Sequence, residues 1–166
     1  VNHLNGQDEH CQKVRTIILE ICGNSIEWSG TENKQWLLGV KYDPEKVTFT
    51  VSDVGKGILD TLYRRHFTKV AEYFMGKRND TILKGAFNQR YGSSTLEINR
   101  GTGLPSVKES FDQGIIQSLK VITNNVILHF DKDAESREFK SGSDRFKGTF
   151  YQWEITKDCL NKIVIE

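Results

Sequence analysis

An α+β domain is predicted by three features of the sequence. Residues 12–28 repeat apolar side chains at helical spacing, residues 36–42 and 47–52 are two β-rich runs around a turn, the second of them alternating, and further helical and strand runs follow in the remaining chain. With 166 residues, the chain has the size of one domain (1–166) with a single substantial core, and it needs no disulfide scaffold. Its 23 Lys and Arg nearly cancel its 22 Asp and Glu to leave +1, which argues against a strongly basic nucleic-acid binder and against a disordered acidic chain. The three cysteines, Cys11, Cys22 and Cys159, are odd in number and form no CxxC pair, so reduced thiols in a cytosolic compartment are expected. No apolar run approaches the roughly 20 residues of a membrane-spanning helix, and the polar stretch 1–11 resembles neither a signal nor a transit peptide. A cytoplasmic location with no membrane partner is the expectation.

Each element has its own reason. In 12–28 the apolar positions Val14, Ile17, Ile18, Ile21 and Trp28 step by three and four, which predicts a helix with one buried stripe. Glu20 and Asn24 lie about 40° apart in helical projection, one turn above each other on one face. Asp43, Pro44 and Glu45 supply the turn between the two strands of the hairpin. In its second strand Val47, Phe49 and Val51 alternate with Thr48, Thr50 and Ser52, so one face is buried and the strand delivers Asp53 at its carboxyl end.

The segment 58–100 is predicted to carry helices at about 59–74 and 81–90, the second with Asp80 as N-cap and Gly92 beyond its end. It holds eight Lys or Arg against four Asp or Glu, an excess equally compatible with a solvated face. Pro105, Val107 and Phe111 fit a short helix that ends at Gly114. Residues 119–123 and 126–130 read as strands joined at Asn124 and Asn125, 131–147 as a polar insertion loop, 149–155 as a strand, and 163–165 as a weaker strand.

Two glycine-rich loops stand where chemistry is expected. Asp53-Val54-Gly55-Lys56-Gly57-Ile58 follows a strand, and its glycines permit a sharp turn or the close approach of a flat ligand. Gly101-Thr102-Gly103-Leu104-Pro105 opens a helix whose free N–H groups suit an anion. Alone, the first is equally a tight turn and the second equally a helix cap. Neither is a Walker loop or a dinucleotide fingerprint. Asp131 to Gly142 begins like a calcium loop but has Ser136 and Gly142 where glycine and glutamate belong. The four histidines lack metal-ligand spacing.

Taken in order, Glu20 and Asn24 on a helix, Asp-x-Gly-x-Gly-Ile after a hairpin, Gly-x-Gly-Leu after a lid-length segment, and Gly148-Thr149 entering a strand resemble the GHKL superfamily of gyrase, heat-shock chaperone, histidine-kinase and mismatch-repair ATPases. The resemblance spans about 14–155. It implies a two-layer α/β sandwich of the Bergerat type, with a mixed, mostly antiparallel sheet on one helical layer, and a site for ATP and Mg2+. It further implies that Asp53 reads the adenine amino group, that Gly55, Gly57 and Ile58 line the base, and that Thr149 supports the aspartate. Asn24 is implied as the magnesium ligand, Arg100, Gly101, Thr102, Gly103 and Leu104 as phosphate contacts, and Glu20 as the general base. The length leaves no room for a transducer domain, and neither His3 nor His10 has a phosphoacceptor context. The resemblance is therefore nearest to stand-alone histidine-kinase-like ATPases or anti-sigma-factor serine kinases, although Trp28 departs from the usual His or Lys. It implies transfer of the γ-phosphoryl group to a protein partner in signalling. A slow ATPase acting as a conformational or dimerisation switch, and a non-catalytic binding module, are the alternatives. The expected partners are ATP and a protein, with a homodimer among the allowed assemblies and no nucleic acid.

Overall fold

Residues 2–6, 11–28, 32, 35–65, 74–88, 103–140, 142 and 145–164 are described by the computed structural model. In chain order they form α1 (Asn2–Asn5), α2 (Gln12–Trp28), β1 (Trp36–Tyr42), β2 (Lys46–Asp53), α3 (Ile58–Arg65), α4 (Asn79–Phe87), α5 (Gly103–Asp112), β3 (Gln117–Asn124), β4 (Val126–His129), β5 (Arg137–Glu138), β6 (Phe146–Thr156) and α6 (Lys157–Val164). The strands make one six-stranded sheet in the order β1-β2-β6-β3-β4-β5. Every pairing is antiparallel, so the described strands use none of the parallel component that a mixed sheet allows.

The sheet is two-faced because its strands alternate. Leu38, Val51, Tyr151, Val121 and Leu128 lie opposite one another across successive strands and join the side chains of the helices in one hydrophobic cluster. From the helical layer come Ile17 and Ile21 of α2, Leu59 of α3, Ile82, Leu83 and Phe87 of α4, and Val107 of α5, all buried. Each such side chain contributes about 1.5–3 kcal/mol by leaving water. The opposite face carries Thr48, Thr50, Lys120, Gln152 and Glu154, half-buried and polar. There Lys46 donates to Glu154 at 2.6 Å across β2 and β6. The result is an α+β, two-layer sandwich.

Elements predicted from periodicity hold with shifted ends. α2 spans 12–28 as predicted, and the hairpin turns through reciprocal Asp43 and Lys46 backbone bonds of 2.9 and 3.3 Å. α3 starts one residue earlier than predicted, at Ile58, and the rest of the expected 59–74 helix after Arg65 falls largely outside the described residues. α4 runs over 79–87, not 81–90. Arg78 occupies its N-cap position without a side-chain cap, and Asp80 sits in the first turn, where its charge suits the helix dipole. Gly92 is outside the described residues.

Two expectations are corrected. Residue 163 belongs to a helix, not a strand. Thr156 ends β6 and its hydroxyl accepts the Cys159 N–H at 3.5 Å, after which Cys159 and Leu160 are buried and Ile163 packs beside them, a helical spacing. The insertion 131–147 is not a plain loop either. It forms a short 3-10 turn, Asp133–Glu135, and the β5 edge strand, and it is tied to the helices by Arg145–Asp60 at 2.8 Å, Arg78–Glu138 at 3.5 Å and the Lys84–Asp133 pair. A side-chain chain adds to this: Tyr63 donates to Asn79, Asn79 to Asn125, and Asn125 to the Phe139 carbonyl. The three cysteines are free thiols, and burial pushes the Cys22 thiol up.

Candidate functional site

At one end of the sheet the inward row changes from apolar to polar. Asp53 closes β2, Thr149 lies near the start of β6 and Thr123 near the end of β3, and all three are buried. A buried carboxylate needs donors. Asp53 Oδ1 accepts the Gly55 N–H at 2.8 Å from the loop after β2 and the Thr149 N–H at 3.2 Å from β6. Charge-assisted bonds of this kind are worth about 1.5–3 kcal/mol each, so the carboxylate is clamped between its own following loop and a strand 96 residues further along the chain. Gly148 makes the clamp possible. Its φ is +103°, and an added Cβ would lie 2.8 Å from Asp53 Oδ1 and inside the Asp53 carbonyl oxygen. Next along β6, burial together with the Asp53 charge pushes the Tyr151 hydroxyl above its ordinary range.

The second half of the site is a helix contact. Glu20 and Asn24, one turn apart on α2, meet the first residue of α5. A Cβ on Gly103 would stand 2.6 Å from Asn24 Nδ2 and 3.0 Å from both Asn24 Oδ1 and Glu20 Oε2. Gly103 is thus glycine because the Glu20–Asn24 face fills the space a side chain would take. Asn24 Nδ2 is buried with no hydrogen-bond partner among the described residues. Leu104 is half-buried against the core.

Of the predicted residues, the structure brings Asp53, Gly55 and Thr149 into one hydrogen-bonded group, and packs Glu20 and Asn24 against Gly103 in a second cluster. Arg100, Gly101 and Thr102 lie outside the described residues. Gly57 has a packing reason of its own. Its φ is +84°, and an added Cβ would meet Asn124 Oδ1 at 2.5 Å and Thr123 Oγ1 at 2.7 Å, so the space it leaves is filled by the protein's own β3 side chains. Ile58 is held the same way, its N–H donating to Thr123 Oγ1 at 2.9 Å.

Sequence reasoning missed Thr123 and Asn124. Thr123 read as the end of a strand and Asn124 as a turn, yet Asn124 is 4% exposed with φ +53°. The available signal was a polar pair ending an alternating apolar strand. Among the described residues no group of three or more His, Cys, Asp or Glu side chains is placed to hold a metal, and no helix is long and apolar enough to cross a membrane. No protein-family model matches the chain, and no curated protein matches it significantly in sequence.

Proposed function

We propose that this chain binds ATP with magnesium in the manner of a GHKL domain and transfers the γ-phosphoryl group to a protein partner in signalling. The observation that carries the reading is the buried Asp53 carboxylate, fixed at a sheet end by amides from the loop and from β6. A carboxylate accepts from the amino group of adenine, whereas guanine presents an oxygen at the same place.

The donor set also suits a hard cation. Asn24 and Glu20 bring amide and carboxylate oxygens together beside Gly103, while the Asn24 amide nitrogen, unpartnered among the described residues, is a donor suited to a phosphate oxygen. Asn24 would hold Mg2+ together with phosphate oxygens and retained waters, since magnesium commonly takes only one or two protein ligands. When bound, the ion supplies charge neutralisation at the phosphates. The N–H groups that open α5 would serve the phosphates, and Glu20 would orient or deprotonate the attacking hydroxyl as its oxygen bonds to phosphorus and the bond to ADP breaks.

Calorimetric titration of ATP against GTP, with and without magnesium, tests the binding step. ATP is expected to bind with magnesium and GTP at least about tenfold more weakly, and Asp53→Asn, which turns one carboxylate oxygen into a donor, should cost about 10–100-fold in ATP affinity. No heat with ATP and magnesium, or an Asp53→Asn variant that binds ATP as the wild type does, refutes the reading. Transfer is tested by labelling of a partner from γ-labelled ATP, which Glu20→Ala should abolish while binding persists. ATP turnover with no labelled protein would favour the hydrolytic switch instead.

A further inference from the structure

The loop after β2 and the β6 segment that together grip Asp53 are themselves joined by one side chain. Thr123 Oγ1 accepts the Ile58 N–H at 2.9 Å, and its single proton lies between the Gly148 carbonyl and Asn124 Oδ1, each at 3.1 Å. Gly148 C=O and Thr149 N–H belong to the same peptide group, and that N–H is the one donating to Asp53 Oδ1 at 3.2 Å. The bonds therefore form a continuous series: Ile58 N–H to the Thr123 hydroxyl, the hydroxyl to the 148–149 peptide, the peptide to Asp53, with Gly55 N–H closing from the far side.

Asn124 secures the loop between these points. Its Oδ1 accepts the Leu59 N–H at 3.0 Å and its Nδ2 donates to the Lys56 carbonyl at 2.9 Å. With Thr123 on the Ile58 N–H, it caps the first turn of α3. Gly57, with no Cβ, lets both side chains reach the loop backbone. Thr123 is fully buried, so water does not substitute for these bonds, and in such surroundings linked hydrogen bonds reinforce one another.

We infer that Thr123 and Asn124 are positioning residues that fix the direction of the Asp53 carboxylate through the 148–149 peptide and the 54–58 loop, and so set how sharply the site separates amino-purine from oxo-purine nucleotides. The selectivity half of this statement rests on the ATP reading; the positioning half does not. Thr123→Val keeps the volume and removes the hydroxyl, and Thr123→Ser restores it. Asn124→Asp keeps the acceptor for Leu59 N–H but sets a carboxylate against the Lys56 carbonyl.

Two readouts on the full chain separate the halves. Amide hydrogen exchange by NMR, without nucleotide, should show Gly55 and Thr149 exchanging at least about tenfold faster in Thr123→Val, with protection regained in Thr123→Ser. Titrations with ATP and with GTP should show their affinity ratio falling about tenfold in Thr123→Val and in Asn124→Asp, and returning in Thr123→Ser. Lowered thermal stability with the ratio and the two exchange rates unchanged overturns the inference. If Thr123→Val does not fold, Asn124→Asp carries both readouts with the same criteria. A wild-type chain that binds neither nucleotide sinks the ATP reading and the selectivity half with it, and the exchange rates then uphold or overturn the positioning half.

Discussion

Replacing Gly148 by alanine tests the clamp at Asp53 through its backbone. At φ +103° an alanine is strained by about 1–2 kcal/mol for handedness alone. Its methyl would also lie 2.7 Å from the Asp53 carbonyl carbon and 2.8 Å from Oδ1. The Asp53 carbonyl oxygen is closer still, so reaching a normal contact near 3.4 Å means that β2 and β6 part there by more than about 1 Å. The Thr149 N–H to Asp53 bond is already 3.2 Å long, so that movement takes it beyond hydrogen-bond range and forfeits about 1.5–3 kcal/mol. The expected cost is about 2.5–5 kcal/mol, a large part of the 5–15 kcal/mol typical of a domain. Gly76→Ala is the matched control: its φ is +74° and a Cβ there meets nothing within 4 Å, so only the backbone term of about 1–2 kcal/mol applies. Equilibrium urea unfolding of both variants, compared at unchanged m-value, measures the difference. If Gly148→Ala costs no more than Gly76→Ala, the close packing of the 148–149 peptide on Asp53 is not what holds the carboxylate.

What could be read in the sequence was local, and what could not was contact between distant segments. The α2 stripe through Ile17 and Ile21 and the alternation of Val47, Phe49 and Val51 are periodic within one element, so burial follows directly from spacing. Glu20 and Asn24 were placed on one face by the same arithmetic, but that Gly103 lacks a side chain because of them is a tertiary fact. Gly57 shows the limit clearly. A glycine after a strand reads as room for a ligand, whereas its neighbours are Thr123 and Asn124, whose bonds to Ile58 and Leu59 span 65 residues. Residues 163–165 misled for another reason. Their β-branched run has strand propensity, while Thr156 as a cap and the burial of Cys159 and Leu160 decide for a helix through Val164, residue 165 lying outside the described residues, and packing outweighs propensity in so short a segment.

Two further perturbations address the centre of the sheet. Trp153 is fully buried and stacks on Phe49 at 5.4 Å, and its indole N–H has no partner among the described residues. Trp153→Ala should cost about 3–5 kcal/mol in urea unfolding but Trp153→Phe under about 2 kcal/mol, because phenylalanine keeps much of the ring volume while removing an unsatisfied donor; a Trp153→Phe cost above about 2 kcal/mol would mean that the N–H is satisfied. Tyr151 tests the charge at the site. Burial first, and the Asp53 charge second, hold its hydroxyl protonated well above the usual tyrosine range. The unfolded chain loses that proton near pH 10 while the folded chain keeps it, so the unfolded state binds fewer protons and stability falls as pH rises. Below pH 10 the group's contribution is fully present; above it, one such tyrosine removes about 1.4 kcal/mol per pH unit. Tyr151→Phe should flatten the alkaline arm by that slope relative to the wild type, the other titrating groups cancelling in the comparison. In the folded protein, one of the five tyrosines should stay silent in tyrosinate absorbance until unfolding. If all five titrate together near pH 10 with the fold intact, Tyr151 is not held neutral beside Asp53, and the inward polar row at this end of the sheet is open to water.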